Sequence, residues 1–303
     1  MTVVGHVGIF GLGAMGSAMA GYLVSEGFTV LGSEPDPQRQ RAAVDLGVRI
    51  ATPEEIAADC DIIITSLPSY AVAVAVMASS SPLGQSLRPG TTILETSTLS
   101  PAEKESLRQE VESSGGILLD CPMSGTAHQA REGDLVAYLS GDDEDAKARS
   151  THVLRAFCRS VRDLGGFGTG TKTKLVANHL VAAHNVAAAE ALGLAQAAGL
   201  DLESTLSAIA DGAGSSRMLQ VRGPLMITED YLPAGMRVDL FLKDLGLIAD
   251  FVDGLGAPSP MLDIAVDVYS EAHRQGRGPE DTACAYSVLK AWRGRRPRSA
   301  DGA

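Results

Sequence analysis

Gly11-Leu12-Gly13-Ala14-Met15-Gly16 follows the apolar run Val7–Phe10 without a gap and opens onto the helix-forming stretch Ala14–Ser25. A GxGxxG string alone is weak, but a strand that turns on such glycines into a helix is the context in which they bind a dinucleotide. Gly11 permits the tight turn, Gly13 lets a pyrophosphate reach the backbone, and Gly16 lets helix and strand pack closely. The backbone N–H groups around Leu12, Ala14 and Met15, with the positive end of the helix dipole, then face the phosphates. The next strand closes on Glu34, about 20 residues on, where a carboxylate accepts hydrogen bonds from the adenosine ribose hydroxyls. A carboxylate there repels a 2′-phosphate, and Pro35 follows it rather than a basic residue, so NAD is the expected cofactor. Arg39 and Arg41 lie near enough in sequence to leave NADP open.

Outward from this turn, short β-branched runs alternate with helical patterns. Thr29–Leu31, Asp61–Thr65, Thr91–Leu94 and Gly116–Leu119 read as strands beside Val7–Phe10. Pro37–Leu46, Pro53–Ala58, Tyr70–Met77 and Pro101–Ser113 read as helices beside Ala14–Ser25. Such alternation predicts a parallel sheet with helices on both faces, and the nearly unbroken apolar strands agree with two covered faces. A strand at Asp134–Ser140, a helix near Glu144–Phe157 and a last strand at Arg159–Leu164 complete this half. At Gly165-Gly166-Phe167-Gly168-Thr169-Gly170 four glycines in six residues read as a hinge-like link. Beyond it, Lys174–Ala198 is alanine-rich and apolar nearly all round, which predicts a long buried helix. Leu202–Gly212, Val238–Leu255, Met261–Gln275 and Asp281–Trp292 follow as helices. The predicted class is α/β: a Rossmann-type doubly wound sheet in residues 1–166, then an all-helical substrate and oligomerisation domain in 167–303.

Composition narrows the function classes. The 303 residues exceed what one core usually serves, in keeping with two domains. A formal charge of −12 repels a phosphate backbone, and aromatics at 4% leave no stacking platform, so nucleic acid is not an expected partner. The one basic cluster, Arg293, Arg295, Arg296 and Arg298, reads as a solvated tail. Nor is a membrane a partner: no stretch reaches the ~18 consecutive apolar residues of a span, and no signal-peptide pattern opens the chain. Cys60, Cys121, Cys158 and Cys284 lie far apart without CxxC spacing, which suits buried thiols and a cytoplasmic location. The six histidines, His128 in a loop of interest among them, show no ligand spacing, and no metal is expected.

Further segments carry chemistry. Leu67-Pro68-Ser69 and Glu95-Thr96-Ser97-Thr98 each follow a strand of the parallel set, where open α/β sheets bind ligands. Asp120-Cys121-Pro122-Met123-Ser124-Gly125-Thr126 offers a hydroxyl and close backbone donors, which suit a carboxylate. Lys174 and Asn178 stand i,i+4 and share one helix face. With Gly11–Ala20 these segments resemble the β-hydroxyacid dehydrogenase family, whose members include 3-hydroxyisobutyrate and 6-phosphogluconate dehydrogenases. The resemblance runs to about Trp292, and the helical half is most similar to the L-threonate dehydrogenases, through Gly214–Met218 and Val238–Leu247.

The resemblance implies roles. Lys174 matches the catalytic lysine and Asn178 the substrate-orienting asparagine; Ser124 and Gly125, with Thr126, match the substrate-carboxylate loop. Lys243 matches a lysine near nicotinamide and substrate, while Leu67, Pro68 and Thr98 match cofactor contacts. The chain departs from the usual pattern at Thr126 and Gln129, where glycines are common, at Ala177, and at Arg217, which stands in a place often aromatic and is a candidate for a substrate's polar tail. A neutral Lys174 amine would take the hydroxyl proton as hydride leaves for nicotinamide. Its pKa would have to fall ~2–3 units from ~10.4, through burial in a cleft with Lys243 as a like charge. The implied substrate is a small 2- or 3-hydroxy acid such as 3-hydroxyisobutyrate, glycerate or threonate. Imine reduction on the same scaffold and a non-catalytic dinucleotide sensor are the alternatives. Relatives of the first kind lack the lysine, and loss of Lys174 or Asn178 would mark the second. The apolar long helix predicts a homodimer or homotetramer.

Overall fold

The structure, a computed structural model, describes residues 5–292. Its contacts divide the chain into two compact units, the first ending at Lys174 and the second beginning at Leu175.

In the first unit β1 (His6–Phe10), α1 (Ala14–Ser25), β2 (Thr29–Ser33), α2 (Pro37–Asp45), β3 (Arg49–Ile50), α3 (Pro53–Asp59) and β4 (Ile62–Thr65) alternate. They are followed by α4 (Tyr70–Met77), α5 (Pro82–Ser86), β5 (Thr92–Glu95), α6 (Pro101–Ser113) and β6 (Ile117–Asp120). All neighbouring strands pair in parallel in the order β3-β2-β1-β4-β5-β6. This is the doubly wound sheet expected from the sequence. The order reverses beside β1, so the loops after β1 and β4 part at a switch point, where such sheets take ligands. Alternate residues feed two cores: Ile62 and Ile64 pack with Met19, Leu23 and Val30, whereas Ile63 packs with Ile56, Ile93 and Leu118 on the opposite face.

Helix starts are written locally. Pro37, Pro53, Pro82 and Pro101 each stand in the first turn, and Thr52 with Glu55 and Ser100 with Glu103 form capping boxes. β7 (Met123–Ser124), α7 (Ala127–Arg131), β8 (Leu135–Leu139), α8 (Glu144–Leu154) and β9 (Cys158–Asp163) follow. The last strands form a separate sheet, β7-β8-β9, with β7 antiparallel to β8 and β9 parallel to it.

The glycine run is a docked turn rather than a hinge. A helix, α9, already begins at Thr169 and runs to Ala197. Gly170 donates its N–H to Ser140 Oγ at 2.9 Å. A Cβ on Gly170 would lie 2.4 Å from the Tyr138 carbonyl oxygen, so only glycine permits this approach.

In the second unit α9 is joined by α10 (Leu202–Ala210), α11 (Arg217–Thr228), α12 (Val238–Leu255), α13 (Pro260–Arg274), a 3-10 turn at Thr282–Cys284 and α14 (Ala285–Ala291). Its core gathers Ala182, Val186 and Leu192 of α9, Phe241 and Leu245 of α12, and Tyr269 of α13, whose ring meets Phe241 edge-on at 5.2 Å. A buried Arg222–Asp281 pair at 3.2 Å ties α11 to the 3-10 turn, and Asp281 also accepts from the Gly235 and Met236 amides. α9 is not buried all round. Val176, Leu180 and Leu194, spaced so as to share one side of the helix, are 54%, 50% and 71% exposed, because the unit covers only the opposite face. The arginine cluster beyond Trp292 lies outside the described residues. Among those residues no helix is long and apolar enough to cross a membrane, and no group of three acidic, histidine or cysteine side chains is arranged to hold a metal ion.

Candidate active site

The three glycines of the first turn meet three different demands. Gly11 has φ +89°, and a Cβ on it would lie 2.3 Å from the Ser66 carbonyl oxygen; one on Gly16 would lie 1.9 Å from that of Gly11. Both are therefore required by the protein itself. Gly13 is the N-cap of α1, no side chain caps the helix there, and a Cβ on it would meet nothing within 4 Å. Open space over uncapped N–H groups is what an approaching pyrophosphate needs.

Glu34 lies just beyond β2, its side chain only 3% exposed. Its Oε2 accepts from the Leu12 N–H at 2.8 Å and its Oε1 from the Asp36 N–H at 3.1 Å. A carboxylate offers about four acceptor positions, so capacity for ribose hydroxyls remains. The sequence shows no basic residue beside it, but the first turn of α2 brings Arg39 within 3.7 Å of Glu34 Oε1.

The loops after β4 and β5 are stitched together. Leu67 donates its N–H to Ser97 Oγ at 2.9 Å, and Ser97 donates its own N–H to Glu95 Oε1 at 3.0 Å. Leu67 and Thr98 are half-buried and Pro68 is exposed. Ser124 ends β7 against Val136. Gly125 has φ +142°, and a Cβ on it would strike Leu135 at 2.6 Å. Thr126 and Gln129, the two departures from the usual loop, are partners. The Thr126 hydroxyl accepts from the Gln129 N–H, and the Gln129 side chain accepts from the Thr126 N–H at 3.0 Å, a capping box that starts α7. His128 is exposed and sits 3.4 Å from Glu132.

Behind these loops lie charges that sequence reasoning missed. Lys104 of α6 is fully buried, ion-paired with Glu95 and 3.1 Å from Asp120 Oδ1; both carboxylates are also fully buried. Asp120 accepts from the Thr171 N–H and hydroxyl, each at 2.7 Å. Lys104 follows Pro-Ala-Glu and looks like any surface lysine of an amphipathic helix, so no local signal marks it.

Lys174 and Asn178 stand one turn apart on α9, 8% and 4% exposed. Asn178 Nδ2 donates to Asp244 Oδ2 at 3.1 Å, which fixes the amide's orientation. Asp244 is buried on α12, whereas its neighbour Lys243 is exposed. The sequence placed Asp244 only in a helical run; its partnership with Asn178, 66 residues away, has no local signature. Arg217 is exposed in the first turn of α11, just after the N-cap Ser216.

Two family models account for the chain. Residues 6–166 match the NAD binding domain of 6-phosphogluconate dehydrogenase, and residues 168–289 match the NAD-binding model of NADP-dependent 3-hydroxyisobutyrate dehydrogenase. The chain belongs to the β-hydroxyacid dehydrogenase family. It is 32% identical to the L-threonate dehydrogenase of Cupriavidus necator over 286 residues, 94% of this chain and 96% of that protein. The crystal structure of 3-hydroxyisobutyrate dehydrogenase from Salmonella typhimurium matches with a TM-score of 0.83 at 30% identity, covering 93% of this chain and 99% of that one. An imine reductase from Pseudomonas sp. shares the fold more distantly, with a TM-score of 0.62 at 24% identity over 94% of this chain and 99% of that one. This β-hydroxyacid dehydrogenase is thus an NAD(P)-binding enzyme acting on hydroxy acids. The open Gly13 turn and buried Glu34 of its first unit fit the dinucleotide.

Proposed function

We propose that this dehydrogenase oxidises a three- to five-carbon hydroxy acid, with polyhydroxylated acids of the threonate type favoured over 3-hydroxyisobutyrate and glycerate, and with NAD as the preferred cofactor. The observation that carries the reading is the buried pair on α9: an amine and an amide one turn apart, the amide held by Asp244. An isolated Lys-x-x-x-Asn on a solvated turn would need neither burial nor a buried carboxylate partner. Bound nicotinamide would supply the hydride acceptor; Lys174 Nζ takes the hydroxyl proton when the acid is oxidised and returns it when the carbonyl is reduced. Asn178 does not titrate and orients the hydroxyl. Ser124 and the Gly125 backbone hold the carboxylate; Thr126 supports that loop by capping α7. Lys243 contributes positive charge, and Arg217 a bidentate group for a polar tail. Leu67, Pro68 and Thr98 contact the cofactor.

The presence of Lys174 favours hydroxy-acid oxidation over imine reduction. The bare apolar side of α9 supports a homodimer or homotetramer through the helical unit, and four unpaired, buried cysteines suit the cytoplasm. The test compares L-threonate, glycerate and 3-hydroxyisobutyrate with their methyl esters at the NADH absorbance band. Loss of the carboxylate charge is expected to lower kcat/KM more than ~10-fold. Uncharged alcohols turning over as fast as the acids would refute the carboxylate site.

A further inference from the structure

α9 is long, and its first turn has no capping side chain from the residues just before it. Its leading donors are satisfied from a distance: Gly170 N–H by Ser140 Oγ, and Thr171 N–H and hydroxyl by the two oxygens of Asp120. Asp120 ends β6, so a helix start is fastened directly to the carboxyl edge of the main sheet. The fastening is ionic. Glu95, Lys104 and Asp120 are fully buried and carry two negative charges against one positive. Burial works against the Lys104 ammonium, but the two carboxylates outweigh it and raise its pKa above the ordinary lysine value. The remaining negative charge lies at the positive end of the α9 dipole, where it is stabilised. On its other side the cluster reaches the cofactor-side loops, through Glu95 to Ser97 and Ser97 to Leu67. Buried ion pairs add little net stability compared with apolar packing, so a well-satisfied triad here is better understood through the geometry it imposes.

We propose that the Glu95–Lys104–Asp120 triad, acting through Thr171, is a positioning device that fixes the turn of α9 carrying Lys174, and so governs the proton and hydride transfer step rather than affinity for cofactor or acid. Thr171 lies one turn before Lys174, and the inference rests on the assignment of Lys174 as the acid–base group. A misplacement of about 1 Å at such a group costs on the order of 100-fold in rate, so a loosened anchor has a large lever.

Thr171→Val tests this with little risk to folding. Valine keeps the shape and the N–H bond, and Asp120 Oδ1 retains Lys104 at 3.1 Å. The assay is single-turnover hydride transfer with whichever acid of the panel turns over fastest, together with KM values and amide hydrogen exchange over residues 168–176. Thr171→Val is expected to slow transfer ~10-fold, leave both KM values within ~2-fold, and speed exchange of the α9 start. Thr171→Ser, which restores the hydroxyl, should recover most of the rate. In a Lys174→Ala background, Thr171→Val should add less than ~2-fold, because the group it positions is gone. Undiminished transfer, no recovery with serine, or the same fold-loss in both backgrounds would overturn the positioning role while leaving Lys174 in place. Wild-type turnover by Lys174→Ala alone would instead remove the lysine from the mechanism, and this inference with it.

Discussion

Gly13→Ala separates what the dinucleotide needs from what the protein needs. The backbone at Gly13, φ −69° and ψ −164°, is extended and open to any L-residue, and the added Cβ meets no atom within 4 Å. Alanine is a poorer N-cap than glycine, while the stiffer unfolded chain offsets part of that loss. The two effects leave net stability within about 1 kcal/mol of wild type, or a Tm within ~4 °C. The methyl group nevertheless occupies the space through which a phosphate oxygen would reach the uncapped N–H groups of α1. About one charge-assisted hydrogen bond, ~1.5–3 kcal/mol, is lost, so Kd for NAD should rise ~10- to ~100-fold. Gly16→Ala is the contrast: its Cβ would lie 1.9 Å from the Gly11 carbonyl oxygen, so the turn itself must move and stability falls by at least ~1–3 kcal/mol. Calorimetric titration with NAD, paired with thermal unfolding, reads both. NAD binding within twofold of wild type in Gly13→Ala would refute the assignment of this turn to the pyrophosphate.

Because the buried Glu34 repels a 2′-phosphate, kcat/KM should favour NAD over NADP at least ~10-fold; Arg39, 3.7 Å away, is the residue to blame should the ratio approach one. Lys174→Ala should fold and bind NAD normally but lose ~100-fold or more in kcat, and Lys174→Arg should not recover it, since guanidinium stays protonated; a variant keeping a tenth of wild-type turnover contradicts the role. Burial pushes the Cys60, Cys158 and Cys284 thiols up to about 12 and holds Cys121 well above the ordinary range. Raised pKa values leave the thiols protonated and unreactive, so iodoacetamide at pH 8 should label the native protein at least ~100-fold more slowly than the denatured chain. Light scattering at micromolar concentration should show a multiple of the 31.4 kDa chain mass, and a strict monomer would contradict pairing through α9.

Segments that carried their own signal were legible. The glycine turn needs only a strand, three glycines and a helix start, all between His6 and Gly16, and α1, α4 and α6 end where the patterns place them. Short or self-contradicting segments escaped. β3 is two residues long, and α11 holds Gly223 and Pro224, residues that break helical patterns. In the fold Gly223 lets Leu206 pack where a side chain would clash, so tertiary contact decides its helix state. The start of α9 lies ahead of its apolar pattern for the same reason: Gly170 reads as flexible until Tyr138 and Ser140 are seen pressed against it.

Local order in the chain thus specified the class of fold, the strand–turn–helix at Gly11–Gly16 and the placement of Lys174 and Asn178 one turn apart on a helix, because each depends on residues a turn or a strand apart. Partnerships across long separations required the folded chain. Lys104 finds Asp120, Thr171 finds Asp120 from 51 residues away, and Asn178 finds Asp244. A charged side chain carries no mark of whether it will meet water or a buried counter-charge. That choice belongs to the packing, which alone brings distant polar groups out of solvent and makes pairing them obligatory.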